Sequence, residues 1–302
     1  MAAQIRLGTS AFTAGGWSGA FYPRGMKSAD YLSFYSTRFD TVEVDSTFYR
    51  CPTMKTVNNW ALQTPPGFIF SLKVPRTITH EKVLFECDKE LEEFIGAAHV
   101  LGEKLGPIVF HFPNFNKDSF SNPIQFFSRL KAFMKKLPRI GGYKFAVEIR
   151  NRWWLSARFG DLLRENNVAL VLQDHSSMPS VERVFSTIDP ITADFVYIRL
   201  LGDRKAIEAK STVWDQVVED KTASMNSWAD VCQMVQRRGM PQYVYFNNHY
   251  EGFAVASVER FRRLCAGKGI ETPLNVQLPA VIEPTLFDIS RTEPRSKRCP
   301  LR

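Results

Sequence analysis

The chain has 302 residues, a formal net charge of +8, and 44% hydrophobic, 23% charged and 13% aromatic side chains. That composition belongs to a globular chain and excludes wholesale disorder and collagen-like repeats. No apolar run approaches the ~20 residues a membrane-spanning helix needs, and the opening MAAQIRLGTS lacks the charged and apolar regions of a secretory signal.

Eight short runs rich in β-branched and aromatic residues read as strands: 5–10, 41–47, 68–74, 108–112, 144–150, 169–175, 194–200 and 242–248. Apolar spacings of three and four mark helices between them. Residues 28–38 carry Tyr31, Phe34 and Tyr35, and 88–104 carry a stripe through Leu91, Phe94, Ile95, Ala98 and Leu101. Stretches 53–63, 122–136, 156–166, 225–238 and 253–266 behave alike, with Ser28, Thr53 and Ser121 (before Pro123) as expected caps.

Strand then helix, repeated with nearly continuous apolar strands, predicts a parallel sheet buried on both faces. Eight such units fit the roughly 250 residues of a (β/α)8 barrel. No GxGxxG follows the first strand and no linker divides the chain, so one α/β TIM-barrel-like domain is expected over 1–270. Residues 271–302 carry Pro273, Pro279, Pro284, Pro294 and Pro300 and read as a C-terminal strap with a disordered end. The charged connection 202–223 is expected to be a lid or an insertion.

The basic balance invites a nucleic-acid reading, but Arg291, Arg295, Lys297, Arg298 and Arg302 against Glu293 place half of the +8 in the last twelve residues. Cys51, Cys87, Cys232, Cys265 and Cys299 are scattered and never spaced CxxC, which predicts free, mostly buried thiols and a reducing cytoplasmic setting.

The informative feature is charge inside strands. Alternation puts Val42 and Val44 under helices and turns Glu43 and Asp45 into the lumen. It likewise turns inward Ser71 and Lys73, His111, Glu148 and Arg150, and Tyr197 and Arg199. The sixth strand ends at Gln173 and Asp174, the eighth at Asn247, Asn248 and His249. These positions lie toward the carboxyl ends of strands, where barrels place active sites. Buried charges must pair or hold a ligand. Charges on six strands converging at one mouth predict a ligand site, and their mixed signs suit a small polar, sugar-like or phosphorylated molecule. In this reading Glu43 and Glu148 exchange protons as acid and base. Lys73, Arg150 and Arg199 hold anionic groups, and Lys73 has a Schiff base as its lesser option.

His111, Glu148, Asp174 and His249 lie on four strands and offer metal-ligand chemistry. Neither HxH nor HExxH occurs, and Arg150 beside Glu148 would repel a cation, so no metal is assigned and the cofactor stays open. GxSxG and the Walker loop are absent; the AGGW at 14–17 is expected to shape the first loop. Trp17, Phe48, Tyr49, Trp153 and Trp154 follow strands and are expected to form a stacking surface.

The segments GTSAFTAGGWSGAFYP (8–23), FDTVEVDSTFYRCP (39–52), FSLKVPRTITH (70–80), HFPNFNKD (111–118), VEIRNRWW (147–154), QDHSSMP (173–179), YIRLLG (197–202) and YFNNHYEGFA (245–254), taken in order, resemble the YecE-like family, a domain of unknown function. The resemblance implies a (β/α)8-type barrel and no assigned chemistry. It marks Glu43, Thr47, Phe48, Tyr49, Lys73, His80, Glu148, Arg150, Trp154, Asp174, Arg199, Asn247 and Asn248 as pattern positions. Ala11-Phe12, His111-Phe112 and Asn151-Arg152 depart from the pattern, at the first, fourth and fifth loops.

The leading expectation is an enzyme, a hydrolase, lyase or isomerase, acting at the mouth on a small polar or anionic metabolite. Its catalytic set would be Glu43, Glu148, Lys73 and Asp174. Its binding set would be Thr47, Tyr49, His80, His111, Arg150, Trp154, Arg199, Asn247 and Asn248. The alternatives are a nucleic-acid-binding or metal-assisted nucleic-acid-processing barrel and a non-catalytic metabolite sensor.

Overall fold

The computed structural model describes residues 5–138 and 142–272. Eight strands follow in chain order: β1 Ile5–Thr9, β2 Thr41–Val44, β3 Ile69–Lys73, β4 Leu105–His111, β5 Phe145–Glu148, β6 Val168–His175, β7 Val196–Gly202 and β8 Gln242–Phe246. They pair in parallel in the order β1-β8-β7-β6-β5-β4-β3-β2, which wraps the sheet into a nearly closed barrel. The expected α/β barrel is therefore the observed one. Its helices are α1 Tyr31–Tyr35, α2 Ser46–Tyr49, α3 Met54–Leu62, α4 Asp88–His99, α5 Pro123–Met134, α6 Ala157–Arg164, α7 Val181–Thr187, α8 Arg204–Glu208, α9 Thr222–Arg237 and α10 Ala254–Gly267. None is long and apolar enough to cross a membrane.

Alternation along the strands builds two cores. Val42, Phe110, Val147, Leu170, Leu172 and Ile198 pack outward under the helices. Val109, Ala146, Ala169, Val171, Tyr197, Tyr243 and Tyr245 form a separate interior cluster that fills the lumen. Tyrosines suit that place because their rings fill width while their hydroxyls find partners. The Tyr197 and Tyr245 centroids lie 5.2 Å apart, Tyr197 Oη is 2.7 Å from Ser71 Oγ, and Tyr245 Oη is 2.7 Å from Thr41 Oγ1.

Local chemistry corrects several expectations. Thr53 caps α3 by accepting from Thr56 N–H, but α5 is capped by Asn122, which accepts from Ile124 and Gln125 N–H, and not by Ser121. Ser28 opens a 3-10 turn, Ser28–Asp30, that has no side-chain cap. The short helix α7 between β6 and β7 was not expected, because seven residues show too few periods to stand out. The connection 202–223 contains α8, and both its sides are tied down: Trp214 N–H donates to Gly15 O and Val218 N–H to Glu251 O. Gly16, at φ +94°, lies so close to this segment that a Cβ there would sit 2.6 Å from Val213. The AGGW loop is thus shaped to receive the connection. The proposed strap and basic tail fall beyond residue 272, outside the described residues.

The seam between β1 and β2 is joined by side chains. Tyr35 Oη accepts from Thr9 N–H at 3.0 Å and donates to Thr41 O at 3.1 Å, with both strands and Tyr35 fully buried there. The strands approach closely because β1 presents Gly8, where a Cβ would meet Thr41 O at 2.4 Å. Tyr35→Phe keeps the ring and strips the bridge. A loss of about 1–3 kcal/mol is expected in urea unfolding, with the m-value unchanged.

Candidate functional site

The carboxyl end of the lumen is closed by a charged lattice. Arg199, on β7, is 2% exposed at its side chain and lies between two carboxylates that are 0% exposed. Its Nε and Nη2 donate to Glu43 Oε1 at 3.1 and 2.6 Å, and its Nη1 donates to Glu148 Oε2 at 2.6 Å. Tyr197 Oη donates to Glu43 Oε2 at 2.5 Å. On the far side Arg150 Nη2 lies 2.5 Å from Glu148 Oε1. Asp45 is 3.4 Å from both Arg199 Nη2 and Lys73 Nζ.

Electrostatics divides the carboxylates. Burial pushes the Glu148 carboxyl up, but Arg150 and Arg199 together hold it well below the usual range, so it is an anion at neutral pH. Burial pushes the Glu43 carboxyl up, with Arg199 pulling against it. Burial would also discharge Arg199, yet Glu148 and Glu43 keep it charged. The expected acid–base exchange between Glu43 and Glu148 therefore has little geometric support. Each carboxylate is bound to the same guanidinium: both Glu43 oxygens and Glu148 Oε2 already have donors, and Glu148 Oε1 is ion-paired with Arg150.

Above the lattice lies an aromatic group. His111, at the end of β4, has its Nε2 3.6 Å from Glu148 Oε1, while its Nδ1 is buried without a hydrogen-bond partner. Burial, then the cations Lys73, Arg150 and Arg199, hold its imidazole well below its ordinary pKa. The His80 ring is 5.3 Å away and that of Phe48 6.0 Å away. Lys73 Nζ sits 4.4 Å from the Phe48 centroid, a cation–π contact that fixes the ammonium. His80 belongs to a π-helical turn, Thr77–Glu81, and burial with Lys73 brings its pKa down to about 4. After that turn Val83, Leu84 and Glu86 hold positive φ values of 46°, 64° and 45°, a strained run of the kind that collects near functional sites.

Other expected site residues serve elsewhere. Asp174 turns away from the lumen: its Oδ2 accepts from Ser224 Oγ and from Trp228 Nε1 of α9. The interior positions Ala169 and Val171 set the inward parity of β6, and that parity selects Gln173 and His175 instead. Thr47 pins α2 to β3, its hydroxyl 2.7 Å from Lys73 O and accepting from Lys73 N–H. Asn247 Oδ1 accepts from His249 N–H, and Asn248 Oδ1 accepts from Ala254 N–H and Trp17 Nε1, so both shape the loop after β8. Trp17 and Trp154 are core residues, the latter stacked on Phe115. Of the expected stacking surface, Tyr49 and Trp153 face solvent. His111 and Glu148 meet, but Asp174 and His249 do not join them: His249 Nε2 faces Glu208 at 3.2 Å, and among the described residues no metal-binding group of three or more His, Cys, Asp and Glu forms.

Two outcomes follow from this lattice. Arg199→Met leaves two carboxylates buried without their shared cation, and a loss of about 3–5 kcal/mol at pH 7.5 is expected. The Glu43 carboxyl, already raised by burial, rises further once Arg199 no longer pulls against it, whereas Glu148 keeps Arg150. The deficit relative to wild type is therefore full at high pH and shrinks as pH falls toward 5, as paired urea titrations would show. In the wild type, His80, His111 and His175 all have pKa values lowered by burial, His80 and His175 to about 4. Their contribution is present above pH ~6.5 and is lost as pH falls toward 4, because the unfolded chain takes up the protons first. Proton uptake on unfolding at pH 5.5 should drop by roughly one in His111→Asn.

Known proteins fit this fold. The model of the family described as "Protein of unknown function DUF72" matches residues 6–280. The chain is 30% identical over 120 residues to the UPF0759 protein YecE of Escherichia coli (strain K12), covering 40% of this chain and 41% of that protein. It is 28% identical over 152 residues to the UPF0759 protein YunF of Bacillus subtilis (strain 168), covering 48% and 51%. The matches thus span about half or less of these curated relatives. A crystal structure of a DUF72 family protein from Thermotoga maritima MSB8 superposes with a TM-score of 0.68 at 24% identity, covering 87% of this chain and 99% of that one. One from Enterococcus faecalis V583 gives 0.61 at 20% identity, covering 87% and 98%. With its family model matched over nearly its whole length, the chain belongs to the DUF72 family.

Proposed function

We propose that the chain is an enzyme that moves a proton on a small, anionic, hydroxylated metabolite at the barrel mouth, a lyase or isomerase. The observation that carries this reading is His111: a partly exposed, neutral imidazole whose buried Nδ1 has no partner, flanked by two cations and backed by an ionised glutamate. A buried nitrogen without a partner is costly unless a ligand supplies one. With Nε2–H directed at Glu148, Nδ1 is left as the basic nitrogen. The 3.6 Å separation is of the kind that shortens when a substrate closes the site.

The remaining side chains divide the work. Lys73 and Arg150, with side chains 10% and 14% exposed, are the cations that reach the opening, while Arg199 is sealed beneath them. They hold the anionic group and stabilise negative charge that develops on a carbonyl oxygen as the neighbouring carbon loses its proton. Asp45, 27% exposed, faces Lys73 and Arg199 and keeps the formal charge of the six-residue set balanced. Glu43, Glu148 and Arg199 position the others. They do not exchange protons.

Incubation with dihydroxyacetone phosphate, ribose 5-phosphate and fructose 6-phosphate in D2O, followed by NMR, tests the reading. Deuterium is expected at the carbon next to the carbonyl of at least one compound. His111→Asn should slow exchange by roughly 10²–10⁴-fold, and Lys73→Gln or Arg150→Gln should weaken binding at least about tenfold. Binding without exchange in any of them would replace the enzyme with a sensor. Neither binding nor exchange would overturn both.

A further inference from the structure

Beside the mouth lies a second concavity, a cleft of about 410 Å³ between the end of β6 and the first turns of α7 and α9. We infer that it binds a neutral, hydroxyl-rich ring of monosaccharide size. The volume is in the range of small-molecule sites, ~300–1,000 Å³.

The lining is rich in acceptors and holds neither lysine nor arginine. Its two carboxylates are already dressed by hydroxyl groups. Glu182 takes hydrogen bonds from Ser227 and Ser180, which hold its carboxyl below the usual range, and Asp174 takes those of Ser224 and Trp228. Such a wall disfavours a phosphate or carboxylate and favours a molecule that presents hydroxyl donors. Met178 and Pro179 supply apolar surface for the face of a ring.

Gln173, which lines the cleft and is 8% exposed, adds an unmet demand. Its Nε2 donates to Ile149 O at 2.9 Å, and that carbonyl can only accept, so the amide orientation is fixed. The Oε1 is left buried without a donor. A ligand hydroxyl would supply one. Next to it His175 accepts from Ser177 N–H at Nδ1, which leaves Nε2–H as a donor for a ring oxygen.

Gln173 and His175 also share the inward parity of Val171, and His175 feels the charges of Arg150 and Glu148. The cleft therefore adjoins the charged mouth, and the two together suit a phosphorylated sugar. That extension rests on the mouth reading; the chemistry of the cleft does not.

Saturation-transfer NMR and calorimetry with D-glucose, D-galactose and D-ribose on the full chain test the cleft. At least one sugar should bind with Kd below 10 mM, roughly the affinity expected of a small polar ligand. Gln173→Leu should weaken it about tenfold or more. Ala223→Phe, at an exposed lining position, should abolish it while leaving the circular dichroism and the affinity for inorganic phosphate unchanged. Absence of sugar binding, or binding indifferent to both substitutions, would overturn the inference. Phosphate binding lost in Lys73→Gln but kept in Ala223→Phe would show that the mouth reading survives such a failure.

Discussion

The bridge of Arg199 between Glu43 and Glu148 is the constraint on which the upper half of the barrel depends. Removing three charges from water costs several kcal/mol each, and only short, multiple hydrogen bonds return it. A guanidinium is suited to this because its rigid donors lie in one plane and point outward along different edges, to β2 through Glu43 and to β5 through Glu148. Arg199 thereby cross-links strands on opposite sides of the lumen. The tyrosine layer beneath it, joined through Tyr197 to Glu43, passes the same constraint down to the apolar floor.

That lattice sets the chemistry around it. With the inner carboxylates committed, the side chains still able to meet a ligand are those on its rim: Lys73, Arg150, Asp45 and the imidazoles. Burial among cations keeps the imidazoles neutral at ordinary pH. The mouth and the neighbouring cleft then differ in kind. One presents cations at its opening and the other presents acceptors and hydroxyls, although β6 contributes to both.

Much of this was legible in residues alone. Val42–Val44 against Glu43–Asp45, and Val147–Ile149 against Glu148–Arg150, gave the facing of β2 and β5 because a strand has a period of two. Asp174 was placed at the mouth because it ends the sixth strand and is a pattern position of the resemblance, whereas a count of period two from Ala169 and Val171 turns it outward. His175 could have been found by that count. Asn247 and Asn248 looked like binding residues because they end a strand, and Thr47 because the resemblance marks it. Only the loops show that their hydrogen bonds are taken by the backbone.

The sequence by itself determined the eight strand–helix units, the barrel and most of the polar side chains that turn into its lumen, since these follow from local periodicity. The tertiary structure decided which of those side chains bind one another and which remain open to a ligand. Glu43, Glu148 and Arg199 stand 156 residues apart at most, and whether each is a reacting group or a strut depends on distances that exist only once the barrel closes. Pairing is a property of three-dimensional proximity in a low-dielectric interior, and no one-dimensional pattern encodes it.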